Sequence, residues 1–175
     1  MSEILFPPID LSIPNLNIKY EPCDSVDEDF EIFKLISAKK EELSGGLKGT
    51  GSWYRAGNGP APTQGGKDVP GPNLTPLSSP PSTSIITSIY YTYDNTHYGG
   101  WSSSIQVKSW IGLPSGARWS ADITSANTGT LSAAGLNIPA ASAFLYFTMK
   151  VGNLVVNLYN PPYISTDSAT VYYSY

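Results

Sequence analysis

Apolar and polar residues alternate along most of the chain after Ser84, a pattern that predicts β-strands with one buried face. The positions that share a face are Ile85, Thr87, Ile89, Tyr91 and Tyr93; Ile105, Val107 and Ile111; Ala117, Trp119, Ala121 and Ile123; Ala143, Leu145, Phe147, Met149 and Val151; and Ala169, Val171, Tyr173 and Tyr175. Gly152-Asn153 predicts a two-residue hairpin, and Leu154, Val156 and Leu158 would continue as the returning strand. Because no helical pattern separates these segments, residues 84–175 are predicted to form an all-β domain, an antiparallel β-sandwich of six or seven strands.

The first 83 residues follow other patterns and divide into three predicted segments. Residues 1–24 form an extended arm, because the prolines within 6–14 fix φ and remove backbone donors. Residues 25–44 form an acidic amphipathic helix, which starts at a capping-box spacing at Ser25 and ends before a Gly-Gly pair. Residues 45–83 form a linker or a long wrapping loop, since sixteen of these 39 residues are Gly or Pro.

Charge is concentrated near the N-terminal end of the chain. Residues 1–45 carry ten acids and four lysines, whereas only six of the 92 residues from Ser84 onward are charged, in a stretch with fifteen aromatic side chains. Nucleic acid is not an expected partner, because phosphate binding needs clustered Lys and Arg. A neutral surface rich in aromatic, Ser and Thr side chains favours stacking and hydroxyl contacts, which indicates a binding or assembly protein.

The sequence also bears on membranes and on the compartment. The chain starts Met-Ser-Glu-Ile without a basic segment leading into an apolar run, so we expect synthesis in the cytosol without a signal peptide. No transmembrane segment is predicted, since the longest apolar runs fall far short of the roughly 20 residues that a spanning helix needs. The single Cys23 excludes an internal disulfide.

Groups that carry catalysis or bind metals are scarce. His97 is the one histidine, and we interpret it as a solvated loop residue beside Asp94 rather than an acid–base group or a ligand. A zinc site would need three or four ligands, and the sequence has only one His and one Cys to contribute. A glycosidase pair would need two of Asp94, Asp122 and Asp167 to meet across the fold. We therefore predict a protein that is not an enzyme, with no catalytic residue, no metal site and no cofactor.

Aromatic residues outside the predicted core are the positive signal. Several of them fall in loops or on strand faces opposite the core, namely Trp101, Trp110, Tyr90, Tyr159, Tyr163 and Tyr172. Rings with a polar edge suit protein interfaces, sugar faces and lipid head groups. The rigid Pro161-Pro162 pair would present Tyr159 and Tyr163 with little conformational entropy left to lose on binding. The predicted surface-binding residues are Trp101, Tyr159, Tyr163 and Trp110.

The C-terminal half resembles the aegerolysin family of small, acidic β-sandwich proteins. The resemblance covers residues 84–175 and rests on Gly99-Gly100-Trp101, Leu113-Pro114-Ser115-Gly116, Asn127-Thr128-Gly129-Thr130 and the run from Val156 through Tyr159-Asn160-Pro161-Pro162-Tyr163 to Ser168. Members of that family bind particular membrane lipids and often recruit a pore-forming partner. The resemblance therefore implies that Trp101, Tyr159 and Tyr163 face a membrane.

These observations lead to two hypotheses about function. The first is a non-enzymatic, self-associating β-sandwich that docks on a lipid or glycan surface through its exposed aromatics, with the arm and helix contacting a partner or another copy. The second is a structural subunit of a virion, filament or natural protein crystal, in which the N-terminal arm contacts neighbouring copies. Both predict a homo-oligomer or an assembly partner.

Overall fold

The computed structural model describes residues 49–175 together with the backbone of Ile4–Leu5 and Tyr20–Pro22. The predicted helix over 25–44 and the remainder of the predicted arm lie outside the described residues. Two antiparallel sheets enclose one hydrophobic core, which confirms the predicted β-sandwich. Among the described residues the two sheets contain nine strands; six of them lie within residues 84–175, as predicted for that domain, and the other three precede Ser84.

The described elements follow one another along the chain. They are β1 (Ile4–Leu5), β2 (Tyr20–Pro22), β3 (Thr50–Gly57), β4 (Val69–Pro70), β5 (Ile85–Tyr93), a short 3₁₀ helix (Gly99–Ser104), β6 (Ile105–Gly112), β7 (Arg118–Asp122), β8 (Thr128–Ser132), β9 (Phe144–Val151), β10 (Asn157–Leu158) and β11 (Asp167–Ser174). One sheet has the order β3-β11-β5-β8, and the other has the order β2-β7-β6-β9-β4. A separate parallel pair joins β1 to β10.

The core lies between the inner faces of the two sheets. The buried residues of the strands alternate with less buried ones, as the period-two pattern predicts. The largest fully buried side chains are Trp101, from the 3₁₀ helix, and Trp119, Tyr91 and Phe147, from the strands. The alternation shifts within β5, where Tyr172 lies opposite Ser88 but Tyr173 lies opposite Ile86, so Thr87 is the extra residue of a β-bulge. Because of this bulge, Ile86 is buried in place of its neighbours Ile85 and Thr87.

Residues 49–83, which belong to the predicted linker or wrapping loop, include two strands. Residues 50–57 form β3, which pairs with β11 along its whole length. The glycines of this strand are places of close packing: a Cβ at Gly51 would lie 2.6 Å from the ring of Tyr173. The chain after β3 then follows the free edge of β9, where Leu74 is buried and exchanges backbone hydrogen bonds with Leu145. The glycine in this strand leaves room for a tyrosine ring, so a high glycine content here does not mean that regular secondary structure is absent.

The hairpin expected at Gly152-Asn153 is absent. Residues 152–154 and 156 form bends, and Leu154 and Val155 are exposed where a returning strand would need one buried face. An earlier stretch supplies the backbone partners instead, because the N–H groups of Gly65 and Gly66 donate to the carbonyls of Val156 and Val151. The tertiary structure therefore replaces a local pairing with one between residues far apart in sequence.

In the part of the chain that the structure describes, no helix has the length and apolar character needed to cross a membrane.

Candidate functional site

The outer face of the four-stranded sheet carries no charged side chain. Its outward positions are Thr50, Ser52, Tyr54 and Ala56 on β3; Ser168, Thr170, Tyr172 and Ser174 on β11; Ser88, Tyr90 and Thr92 on β5; and Thr128, Thr130 and Ser132 on β8. All of these except Ala56 bear a hydroxyl group. We call this surface the tyrosine–hydroxyl face.

Three tyrosines project from the tyrosine–hydroxyl face into solvent. Tyr54 is 60% exposed, and Tyr90 and Tyr172 are each 43% exposed. Tyr54 and Tyr90 lie in register with the same residue, Thr170, on opposite sides of β11, so their backbones are two strand spacings apart, about 10 Å. Tyr90 also accepts a hydrogen bond from the hydroxyl of Thr128 at 3.0 Å, which restrains its ring. The face therefore presents aromatic rings at fixed spacing among neutral hydroxyls.

A pocket of about 380 Å³ lies at one end of this face. Its floor is a row of small side chains, Ala56, Ser168 and Thr92, which are paired in register across β3, β11 and β5. Tyr54 and the loop residue Asp94 also line the pocket. The depression forms because small residues occupy the row between the tyrosines and the loops that end the sheet.

Asp94 joins this pocket to a neighbouring pair of rings. Its carboxylate accepts hydrogen bonds from the Ser165 hydroxyl at 2.5 Å and from the Thr96 hydroxyl and backbone N–H at 2.6 and 2.9 Å. These donors, Ser165 foremost, lower the pKa of Asp94 to about 2, so the carboxylate stays ionised as an acceptor. His97 lies 3.3 Å from the same carboxylate and stacks on Tyr163, with ring centroids 4.5 Å apart.

The prediction that Trp101 is a surface residue is wrong. Trp101 is 1% exposed and lies in the 3₁₀ helix that leads into β6. Its indole N–H donates to the carbonyls of Tyr159 and Asn160 at 2.9 and 3.2 Å. Asn160 adopts a left-handed conformation with φ of 45°, which asparagine tolerates better than most residues. A buried indole N–H needs an acceptor. The carbonyls of the loop over residues 159–163 supply it, so Trp101 anchors this loop.

The loop that Trp101 anchors presents the two predicted tyrosines to solvent. Tyr159 is 49% exposed and Tyr163 is 41% exposed. The backbone N–H of Tyr163 donates to the carbonyl of His97 at 3.3 Å, which ties this loop to the one that carries Asp94. Tyr163, His97, Asp94 and the pocket thus form one continuous surface with the tyrosine–hydroxyl face.

The structure does not bring Trp110 to this surface. Trp110 is half-buried on the outer face of the five-stranded sheet, where it stacks on Tyr146 with centroids 5.8 Å apart. Its indole N–H donates to the Thr148 hydroxyl at 2.9 Å, and the Lys108 ammonium lies 5.8 Å from its ring centroid. Neighbours on its own sheet thus account for the ring and the N–H of Trp110.

Asp167 also borders the pocket, but its carboxyl group is buried, unlike that of Asp94. Successive strand residues point to opposite faces, so Ser168 lies on the outer face while Asp167 turns inward with Ala169 and Val171. Asp167 is 2% exposed, and neither carboxyl oxygen has a hydrogen-bond partner among the described residues. Burial raises the pKa of Asp167 to about 7. The two carboxyl groups therefore differ in environment: that of Asp94 is partly exposed and hydrogen-bonded, whereas that of Asp167 is buried.

Tyr54 was not among the predicted surface-binding residues, because it was placed in the predicted linker or wrapping loop. A signal was present, because the hydroxyl-bearing residues Thr50, Ser52 and Tyr54 occupy every second position, with the apolar Trp53 between the last two. Glycine content outweighed that alternation in the prediction. The pocket had no sequence signal, since its floor depends on the register of three strands that are distant along the chain.

Among the described residues, no group of three or more His, Cys, Asp or Glu side chains is placed to hold a metal ion.

Comparisons with known proteins define the class of fold. No protein-family model and no curated protein matches the chain. Among solved structures, the chain is similar to the crystal structure of FLHE, with a TM-score of 0.55 and 17% identity over 72% of this chain and 98% of that one. It also aligns with the empty head of turnip yellow mosaic virus at a TM-score of 0.32 and 10% identity, over 99% of this chain and 92% of that one. The likeness to FLHE shows a shared β-sandwich fold.

Proposed function

We propose that this protein is a non-enzymatic binding protein that docks on glycans through the tyrosine–hydroxyl face. The observation that carries the proposal is a four-stranded sheet surface that combines exposed tyrosines with neutral hydroxyls and no charged group. Sugars offer the matching chemistry, because their ring C–H faces stack on aromatic rings and their hydroxyls exchange hydrogen bonds with Ser, Thr and Tyr.

Charge favours glycans over other ligands for this face. A surface that binds phosphate groups gains affinity from Lys and Arg, and neither occurs among the outward positions of the four strands. An anionic membrane would be attracted by basic residues for the same reason. Tyr54, Tyr90 and Tyr172 provide separate stacking positions along a neutral chain of sugars.

The adjoining loops extend the proposed docking surface. Tyr159 and Tyr163 are held by the Trp101 anchor and by the two rigid prolines between them, so ordering them on a ligand costs little entropy. Stacking of Tyr163 on His97 fixes its ring further. These contacts make the loop a preorganised neighbour of the sheet face.

The arrangement around Asp94 supports a binding role rather than a nucleophilic one. In a serine nucleophile the hydroxyl bonds to the histidine, which is held in turn by the carboxylate. Here the Ser165 hydroxyl and the His97 ring both meet Asp94 instead. Asp94 thus organises two loops.

Adsorption to insoluble polysaccharides tests the proposal. We would compare the wild type with a Tyr54→Ala, Tyr172→Ala double variant on cellulose, chitin and xylan. Each lost ring is expected to remove on the order of 1 kcal/mol of binding free energy, so the pair should weaken adsorption by about 10- to 30-fold. Tyr54→Phe, Tyr172→Phe keeps the rings and should retain most of the affinity.

Leu77→Ala is the matched control, because Leu77 is 85% exposed and lies outside the face. Equal adsorption by the folded double alanine variant and the wild type would refute docking through these rings. Binding of the wild type to liposomes of neutral lipids, with none to the polysaccharides, would replace glycans by the lipid surface that the family resemblance implies.

The same uncharged face would also suit a second copy of the chain. Light scattering of the purified protein addresses self-association directly. Large regular species that dissociate in the double alanine variant would favour the structural-subunit hypothesis and count against glycan docking.

A further inference from the structure

The pocket at the end of the tyrosine–hydroxyl face has features that docking along the face alone does not require. Its volume of about 380 Å³ falls within the roughly 300 to 1,000 Å³ of small-ligand pockets. Flat adsorption on a polymer would need only the exposed rings. The pocket instead interrupts the sheet surface at the row where Ala56 and Ser168 lie opposite each other.

The lining of the pocket combines one aromatic wall with several fixed polar groups. Tyr54 supplies the ring, and Thr92, Thr166 and Ser168 supply hydroxyls. Asp94 supplies a carboxylate whose position is set by its bonds to Ser165 and Thr96. These groups converge on a space that opens to the docking face.

Asn127 adds a further oriented group. Its side-chain N–H donates to the backbone carbonyl of Tyr93 at 3.3 Å, and the backbone carbonyl of Asn127 accepts from the backbone N–H of Tyr93 at 2.9 Å. The amide is thereby held in one orientation, and its side-chain oxygen remains as an acceptor. A fixed amide and a fixed carboxylate that line the same pocket are suited to forming hydrogen bonds with the hydroxyls of one sugar ring.

We infer that this pocket receives the terminal sugar unit of a glycan chain, stacked against Tyr54 and hydrogen-bonded to Asp94 and Asn127. The inference rests on the proposed function and adds a position to it. A chain end enters the pocket, while the following units lie along the tyrosine–hydroxyl face. A neutral sugar fits better than an ammonium group, because His97 stands 3.3 Å from the Asp94 carboxylate and a cation would compete with it.

Filling the pocket tests the inference. Ala56→Leu places a larger side chain on the pocket floor at an exposed strand position, so the core is untouched. Ala134→Leu is the matched control, because it makes the same substitution at an exposed residue of a turn that belongs neither to the tyrosine–hydroxyl face nor to the pocket. Calorimetric titration with cellohexaose, chitohexaose and xylohexaose measures the affinity for soluble chains, which are rich in ends.

Ala56→Leu is expected to weaken binding of the soluble hexasaccharides by at least about tenfold, which is about 1.4 kcal/mol. Ala134→Leu should stay within a few-fold of the wild type. Adsorption to the insoluble polymers, which expose few chain ends, should be affected much less by Ala56→Leu than by the Tyr54→Ala, Tyr172→Ala pair. Equal hexasaccharide affinity in the two leucine variants would overturn the inference and leave face docking intact.

Thr166→Val keeps the test decisive if Ala56→Leu does not fold. Thr166 is exposed and lines the pocket, and valine removes its hydroxyl at nearly constant volume. A several-fold loss of hexasaccharide affinity with unchanged polymer adsorption would support the terminal-sugar site. No change in either measurement would refute the terminal-sugar site. The proposed function itself would be refuted if the Tyr54→Ala, Tyr172→Ala variant adsorbed to the polymers as well as the wild type does.

Discussion

The buried carboxyl group of Asp167 makes a sharp prediction about stability and pH. Asp167 lies on the inward face of β11 opposite Gly57 and Tyr93, with both oxygens buried and without partners among the described residues. Water is excluded, so the neutral acid is favoured over the carboxylate, and the pKa rises from 3.8 to about 7. Replacing this group by an amide, Asp167→Asn, removes the titration while keeping the shape.

The sign of the effect follows from the proton balance. Between pH 3.8 and about 7 the folded protein retains a proton that the unfolded chain has lost, so stability falls as the pH rises through this interval. The interval corresponds to about 4 kcal/mol at about 1.4 kcal/mol per pH unit, as an upper limit. Asp167→Asn should therefore match the wild type below about pH 4 and exceed its stability by up to about 4 kcal/mol above about pH 7.

Urea denaturation of both proteins at a series of pH values measures this difference. All other titrating groups are the same in the two proteins, so the difference in unfolding free energy isolates Asp167. A difference that stays constant from pH 4 to pH 8 would contradict the reasoning. It would mean that Asp167 ionises normally in the folded protein.

Two further predictions concern the loops around the candidate site. Trp101→Phe leaves the carbonyls of Tyr159 and Asn160 without their indole donor, so urea denaturation should show a loss of about 1–3 kcal/mol; unchanged stability would show that the anchor is dispensable. Asp94→Asn replaces an acceptor oxygen by a donor facing Ser165 or Thr96. Because the pKa of Asp94 is lowered to about 2, the wild type should be more stable than this variant above about pH 4. That advantage should disappear as the pH falls toward 2, and a pH-independent difference would argue against the charge.

The period of the sequence determined the sandwich and several of its strands. Alternation over residues 105–111 and 143–151 places one set of side chains in the core and the other outside, whatever the strand order is. The exposed position of Tyr159 and Tyr163 was likewise predictable, because two prolines between them remove the backbone donors that a central strand needs. These outcomes depend on local stereochemistry, which each short stretch carries by itself.

Only the tertiary structure decided which surfaces those strands create. Trp101 was predicted to be exposed because it falls outside the predicted core, yet the loop that its indole N–H supports lies 58 residues further along the chain. Gly51 belongs to a strand because a ring from β11 fills the space that a side chain would take. The tyrosine–hydroxyl face and its pocket arise from the register between β3, β11 and β5, and register between distant strands is set by packing of the whole core rather than by any local pattern.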